Sequence, residues 1–201
     1  MKNLKSLTTW RLIVWAVLYI SVFFYFSCGG DEEVEVAPTV QEAATFTVDA
    51  TSREAWTYFS LAKGGVVEVA DPANSMNWDL GFQRTTVKLN GGVSGPGKGR
   101  AIMLADVGFN EVKEAPASGY AADSEANLAI VAQSEKGWYI YTGPPSHWIL
   151  PLENRVFVVQ AADGTYAKLQ FVGFYKDNAS KTDGGYITFE YLHQPDGSRQ
   201  F

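Results

Sequence analysis

Between Arg155 and Tyr191 the chain alternates apolar and polar residues around an Asp-Gly pair. Arg155-Val156-Phe157-Val158-Val159-Gln160 reads as a strand, and Asp163-Gly164 as a hairpin turn, since both residues tolerate the positive φ of a tight reversal. Beyond it Ala167, Leu169 and Phe171 face one way and Lys168 and Gln170 the other; Ile187, Phe189 and Tyr191 alternate in the same manner with Thr188 and Glu190. A period of two places every second side chain on one face, so these segments are strands with one face buried. Such a sheet needs a second apolar layer. Upstream candidates are Thr45–Asp49, which alternates, the aromatic-rich Trp56–Leu61, and Val66–Val69 after the turn Lys63-Gly64-Gly65. Asn77–Lys88 is a long extended candidate. The best short helical pattern is Glu125–Gln133, and there is no internal repeat. The expectation is an all-β fold: an antiparallel, sandwich-like single domain over residues 44–201.

Composition agrees with one packed domain. Of 201 residues, 46% are apolar, enough for a core. A net charge of −6 argues against a phosphate-backbone partner, so no nucleic acid is expected. One cysteine excludes an intramolecular disulfide framework and a cysteine-rich zinc site, and two histidines leave few ways to build a histidine-based centre.

Residues 1–27 differ from the rest. Lys2, Lys5 and Arg11 precede a fifteen-residue apolar run, Leu12–Phe26, broken only by Ser21. A basic stretch followed by such a run is the layout of a secretory signal, and the run is short of the about 18–20 residues that a membrane span wants. It ends at Ser27-Cys28-Gly29-Gly30, where a small residue before a lone Cys resembles a bacterial lipoprotein processing site. That resemblance implies cleavage before Cys28 and acylation of its new N-terminus, leaving thirteen cations against twenty-two acids. Asp31, Glu32, Glu33 and Glu35 follow, and resemble the surface-export signal of Bacteroidetes lipoproteins. A plain acidic tether is the other reading of them. Residues 28–43 are thus the acylated Cys and a flexible tether.

Few motifs carry chemistry. Gly92-Val93-Ser94-Gly95-Pro96-Gly97-Lys98 has phosphate-loop spacing, but Gly99 stands where a Ser or Thr would hold magnesium and no helix pattern follows. A flexible glycine-rich hairpin is the better reading. No nucleophile elbow or zinc-protease motif occurs, so no enzyme is expected. Asp79 and Arg84, close together in one extended segment, read as a structural ion pair.

Asn77-Trp78-Asp79-Leu80-Gly81-Phe82-Gln83-Arg84-Thr85-Thr86-Val87-Lys88-Leu89-Asn90-Gly91-Gly92 resembles the HmuY family of Bacteroidetes, haem-binding lipoproteins with an all-β fold. Agreement continues through Val48-Asp49-Ala50, Ala55–Ser60, Ser94–Gly99, Gly137-Trp138, Asn154–Phe157, Ala161–Gly164, Ala167–Phe171 and Gly185–Tyr191, in order and over nearly all of 45–192. The family's founding haemophore is similar in holding haem iron between two histidines on two β-fingers. The first finger corresponds to the stretch between Gly119-Tyr120 and Gly137-Trp138, which here contains neither His nor Met. The second ligand position matches Gly143, and His147 stands four residues further on. Some relatives use methionine; here Met76 falls where the family carries an apolar core residue, and Met103 lies between Ile102 and Leu104.

Haem iron accepts imidazole, thioether or tyrosinate donors, and a flat apolar slot suits its ring. The candidate site is therefore His147 as metal ligand, with Met103, Tyr141 and Trp148 around the cofactor. Trp138, Tyr139, Tyr141 and Trp148 flank the Pro-Pro-Ser-His segment and could stack on a porphyrin, with core or rim packing as their other reading; His193, near Asp196-Gly197 beyond the last strand, reads as a surface histidine. The resemblance implies an outer-membrane lipoprotein, anchored by lipid at the cell surface, that captures haem and hands it to a TonB-dependent receptor. The alternative is an interaction module of the same fold, without haem ligands, that binds a glycan, a protein or another apolar ligand.

Overall fold

The computed structural model describes residues 41–201; the expected signal, Cys28 and most of the tether lie outside them. The described chain is almost wholly antiparallel β. Ala44–Asp49 (β1), Arg100–Ala105 (β6), Arg155–Gln160 (β9), Tyr166–Asp177 (β10) and Thr182–Gln194 (β11) form a five-stranded sheet in the order β1-β11-β10-β9-β6. Thr57–Ser60 (β2), Gly65–Val67 (β3), Leu80–Gln83 (β4) and Thr86–Leu89 (β5) form a second sheet, ordered β3-β2-β4-β5. A separate two-stranded finger pairs Tyr139–Tyr141 (β7) with Ile149–Pro151 (β8).

The two larger sheets bury their alternating faces against each other. Val48, Phe157, Leu169, Ile187 and Phe189 meet Phe59, Leu80, Phe82 and Leu89 in one core. Phe59 sits at its centre, edge-on to Phe46, Phe189 and Tyr191 at centroid distances of 5.0–5.5 Å, and Phe82 stacks on Phe189. Edge-to-face rings of this kind add to the burial of apolar area.

The outer face of the five-stranded sheet is covered as well, which the alternation alone does not predict. Val156, Val158 and Leu192 pack under Phe109, Val112 and Ala115 from the long segment after β6. Lys168, expected to face solvent, is buried there; its ammonium donates to the carbonyls of Phe109 (3.0 Å) and Val112 (2.8 Å) and lies over the Phe109 ring.

Four further expectations are corrected. Asn77–Lys88 is not one strand but leads into the β4–β5 hairpin, reversed at Arg84 with φ of 52°. Asp79 and Arg84 do not pair. Asp79 accepts from the backbone N–H groups of Leu61 (2.7 Å) and Ala162 (2.9 Å), whereas Arg84 donates to the Gly184 carbonyl at 2.7 Å. Glu125–Gln133 is irregular, because Asp123 ties the segment to β5 by accepting from Leu89 N and Ala129 N, and Ser124 takes the Asn127 N–H. The glycine-rich loop is pinned rather than open. Fully buried Asn90 donates to the Ser75 and Trp78 carbonyls and accepts from Gly97 N. A Cβ on Gly95 would lie 2.1 Å from Asn90 Oδ1, so these glycines let the backbone close around one amide side chain.

The Asp163-Gly164 turn is present. The hairpin it closes is longer than two residues, since Gln160 pairs with Tyr166, and Asp163 accepts from both the backbone and hydroxyl of Thr165.

Candidate functional site

The β7–β8 finger rises from a fixed base. Trp138 is buried, stacks on Phe171 at 4.7 Å and donates its indole N–H to the Thr85 carbonyl at 2.9 Å. Tyr139 is buried beside it, its hydroxyl on the Ala132 carbonyl, and the Ile149 N–H reaches the Tyr175 hydroxyl at 2.9 Å. Arg155 donates to the Gly137 carbonyl at the strand entry. Trp138 and Tyr139 are therefore packing residues that root the finger.

At the tip the chain turns through Gly143-Pro144-Pro145-Ser146-His147. Thr142 N and the Trp148 carbonyl close the loop at 2.9 Å, Trp148 N returns to the Thr142 hydroxyl at 3.0 Å, and His147 N reaches the Gly143 carbonyl at 2.8 Å. The left-handed backbone at Gly143 (φ 67°) and His147 (φ 52°) lets so few residues reverse the strands. The result brings Tyr141 and His147 together: the phenol oxygen and His147 Nδ1 share a short hydrogen bond, with the rings 5.8 Å apart. Trp148 follows, 39% exposed, with the Lys181 ammonium 4.7 Å from its ring centroid. Lys181 belongs to the β10–β11 turn, so the tip leans on that hairpin end.

Met103 is elsewhere. It lies on edge strand β6, opposite Phe157, and takes the face opposite Ile102 and Leu104, which pack on the second core. Its side chain is 38% exposed, and it belongs to none of the elements that form the tip. Met76, expected at an apolar core position, is half exposed because the core contact of its segment is made by Trp78 instead. His193 is inside β11 rather than beyond it, half-buried, with Nε2 2.8 Å from the Thr165 hydroxyl. Burial pushes its pKa down, against the pull of Asp79 and Asp163.

Two clefts among the described residues lie away from the finger. One, about 510 Å³, is lined by Asp49, Thr51, Trp56, Tyr58, Val66 and Glu68. Hydrogen bonds from the Thr51 hydroxyl and N–H hold Asp49 below the usual carboxylate range. Lys88 caps the Trp56 ring at 4.3 Å and donates to the Tyr58 hydroxyl. The other, about 310 Å³, lies between Leu61, Lys63, Tyr191 and His193.

The profile of the family described as HmuY protein matches residues 52–191, more than half of the chain. The chain belongs to the HmuY family. This HmuY-family chain also shares its fold with solved structures. The apo HmuY analogue of Tannerella forsythia superposes with a TM-score of 0.58 at 22% identity, covering 78% of this chain and 99% of that one. A protein of Bacteroides vulgatus described as HmuY-like and haem-binding gives 0.52 at 22%, with 76% and 95% covered. A protein of Bacteroides fragilis described as a lipoprotein gives 0.52 at 22%, with 78% and 91% covered. At these identities the likeness carries the fold alone. No curated protein matches the chain. Family and fold together bear out the all-β reading.

Proposed function

We propose that this HmuY-family protein is a surface lipoprotein that captures haem at the tip of the β7–β8 finger and passes it to a TonB-dependent outer-membrane receptor. The observation that carries this is the tip itself. An imidazole, a phenol and an exposed indole stand within eight residues, on a hairpin rooted by Trp138 and Tyr139. Imidazole nitrogen and phenol oxygen are both donors that haem iron accepts, so the donor chemistry fits the cargo. In this reading the Tyr141–His147 pair supplies the donor that holds the iron and Trp148 covers one face of the ring by stacking. Met103, on β6, would serve only a haem reaching across to that strand. The tip projects outward, which suits cargo that must be handed on rather than sealed in a cavity.

The segment before the domain supports the location. A basic, apolar leader ends at Cys28, and acids follow it. Acylation of Cys28 would tether the domain to the outer membrane, with residues 29–43 as spacer.

The test is a haem titration followed at the Soret band, with a non-specific protein as control. One saturable equivalent supports the proposal; a response indistinguishable from the control removes it. The 510 Å³ cleft favours one alternative, because a Trp56 wall flanked by Asp49 and Glu68 suits a sugar. Saturable quenching of tryptophan fluorescence by a glycan, absent in Trp56→Ala and without a haem response, would establish that reading instead.

A further inference from the structure

The hydrogen bond at the finger tip has a direction that chemistry fixes. Phenol is a stronger proton donor than a neutral imidazole N–H, and an imidazole nitrogen lone pair is a stronger acceptor than a phenol oxygen. The stronger donor paired with the stronger acceptor assigns the bond between the phenol oxygen and Nδ1 as Tyr141 donating and His147 accepting, which leaves the imidazole proton on Nε2. A histidine poised as a metal ligand is arranged the other way: it donates one ring N–H to a neighbour and presents the other nitrogen bare. His147 is not so arranged.

Resting on the haem reading above, we propose that Tyr141, not His147, is the iron ligand, and that His147 is a positioning residue that takes the phenol proton. On binding, the Tyr141 O–H proton passes to His147 Nδ1 and the phenolate oxygen donates its pair to ferric iron; nothing is oxidised or reduced. The loop bonds hold the base in place. His147 N is fixed to Gly143, and Trp148 is fixed through Thr142 on one side and Lys181 on the other. An anionic oxygen donor favours ferric over ferrous iron, so the site selects the oxidised cargo and loosens when it is reduced.

The test compares wild type, Tyr141→Phe, His147→Ala and His147→Gln as full chains in nanodiscs, with empty nanodiscs as blank. The probes are ferric haem, then ferrous haem under dithionite. Wild type is expected to bind ferric haem with a phenolate-to-iron charge-transfer band. Tyr141→Phe is expected to lose that band, and His147→Ala to keep it with weaker binding, partly restored in His147→Gln. Reduction is expected to weaken wild-type binding by about tenfold or more, equal to a potential about 59 mV lower for one electron. The haem-free protein supplies an independent reading. Nitrogen-15 spectra should show His147 as the Nε2–H tautomer, with Nδ1 shifting in Tyr141→Phe. A Tyr141→Phe variant with an unchanged ferric spectrum, together with complete loss in His147→Ala, overturns the ligand assignment while leaving haem binding intact. Wild type that binds no haem overturns both.

Discussion

The carboxylate of Asp79 holds the backbone N–H of Ala162, 83 residues further along the chain, at 2.9 Å. Its other oxygen holds the N–H of Leu61 at 2.7 Å. One buried side chain thus fastens the β2–β3 turn of one sheet to the β9–β10 loop of the other.

Replacing Asp79 by Asn keeps the shape but leaves only one acceptor oxygen for two buried donors. The cost expected at neutral pH is about 1–3 kcal/mol, the usual penalty for an orphaned buried group. Burial raises the Asp79 pKa above its ordinary 3.8. A carboxyl raised in the folded state contributes stability that is fully present below 3.8 and lost as pH rises through the raised value. The stability gap between wild type and Asp79→Asn should therefore be larger below pH 3.8 than at neutral pH, measured by urea unfolding at both. A gap that widens toward neutral pH contradicts this assignment.

Gly95 tests the reading of the glycine-rich loop. A methyl group there would sit 2.1 Å from Asn90 Oδ1 and 2.9 Å from the Trp78 ring. Neither neighbour can yield, since both are fully buried. Gly95→Ala should cost about 2 kcal/mol or more by overpacking. An unchanged melting temperature would mean that the loop is open after all.

Trp138 and Trp148 bracket the finger and should separate cleanly. Trp138→Ala removes a buried ring and an indole hydrogen bond, at an expected cost of about 3–5 kcal/mol. Trp148→Ala removes an exposed ring and should shift stability by about 0.5 kcal/mol or less. Its effect should fall on haem affinity instead. Thermal melts and titrations of both variants decide the matter.

The parts of the fold written in local alternation were legible. Strands β1, β2, β9, β10 and β11 follow from period two or aromatic content, because each signal lies within six or so residues. What escaped depends on partners far away in sequence. Lys168 reads as a solvent-facing residue until Phe109 and Val112, some sixty positions earlier, bring their carbonyls over it. Asp79 reads as a partner for Arg84 because both are charged and near, yet its actual partners are backbone N–H groups that no composition reveals. Asp123 carries no motif, and its bond to Leu89 N overrides the weak helical pattern after it. At the candidate site, Tyr141, His147 and Trp148 were legible as neighbours in one loop. Their grouping survives because a hairpin tip keeps sequence neighbours close, whereas Met103 depended on a long-range convergence that strand β6 does not provide.

The central claim is that haem is held at the tip of the β7–β8 finger. The most direct measurement is a haem titration of wild type against a variant in which Tyr141 is changed to Phe and residues 142–148 are replaced by Asn-Gly, a turn that closes a two-stranded hairpin. The account predicts one saturable equivalent for wild type and none for the variant, with the core intact by thermal melting. Equal saturable binding by both proteins, or none by wild type, would contradict it.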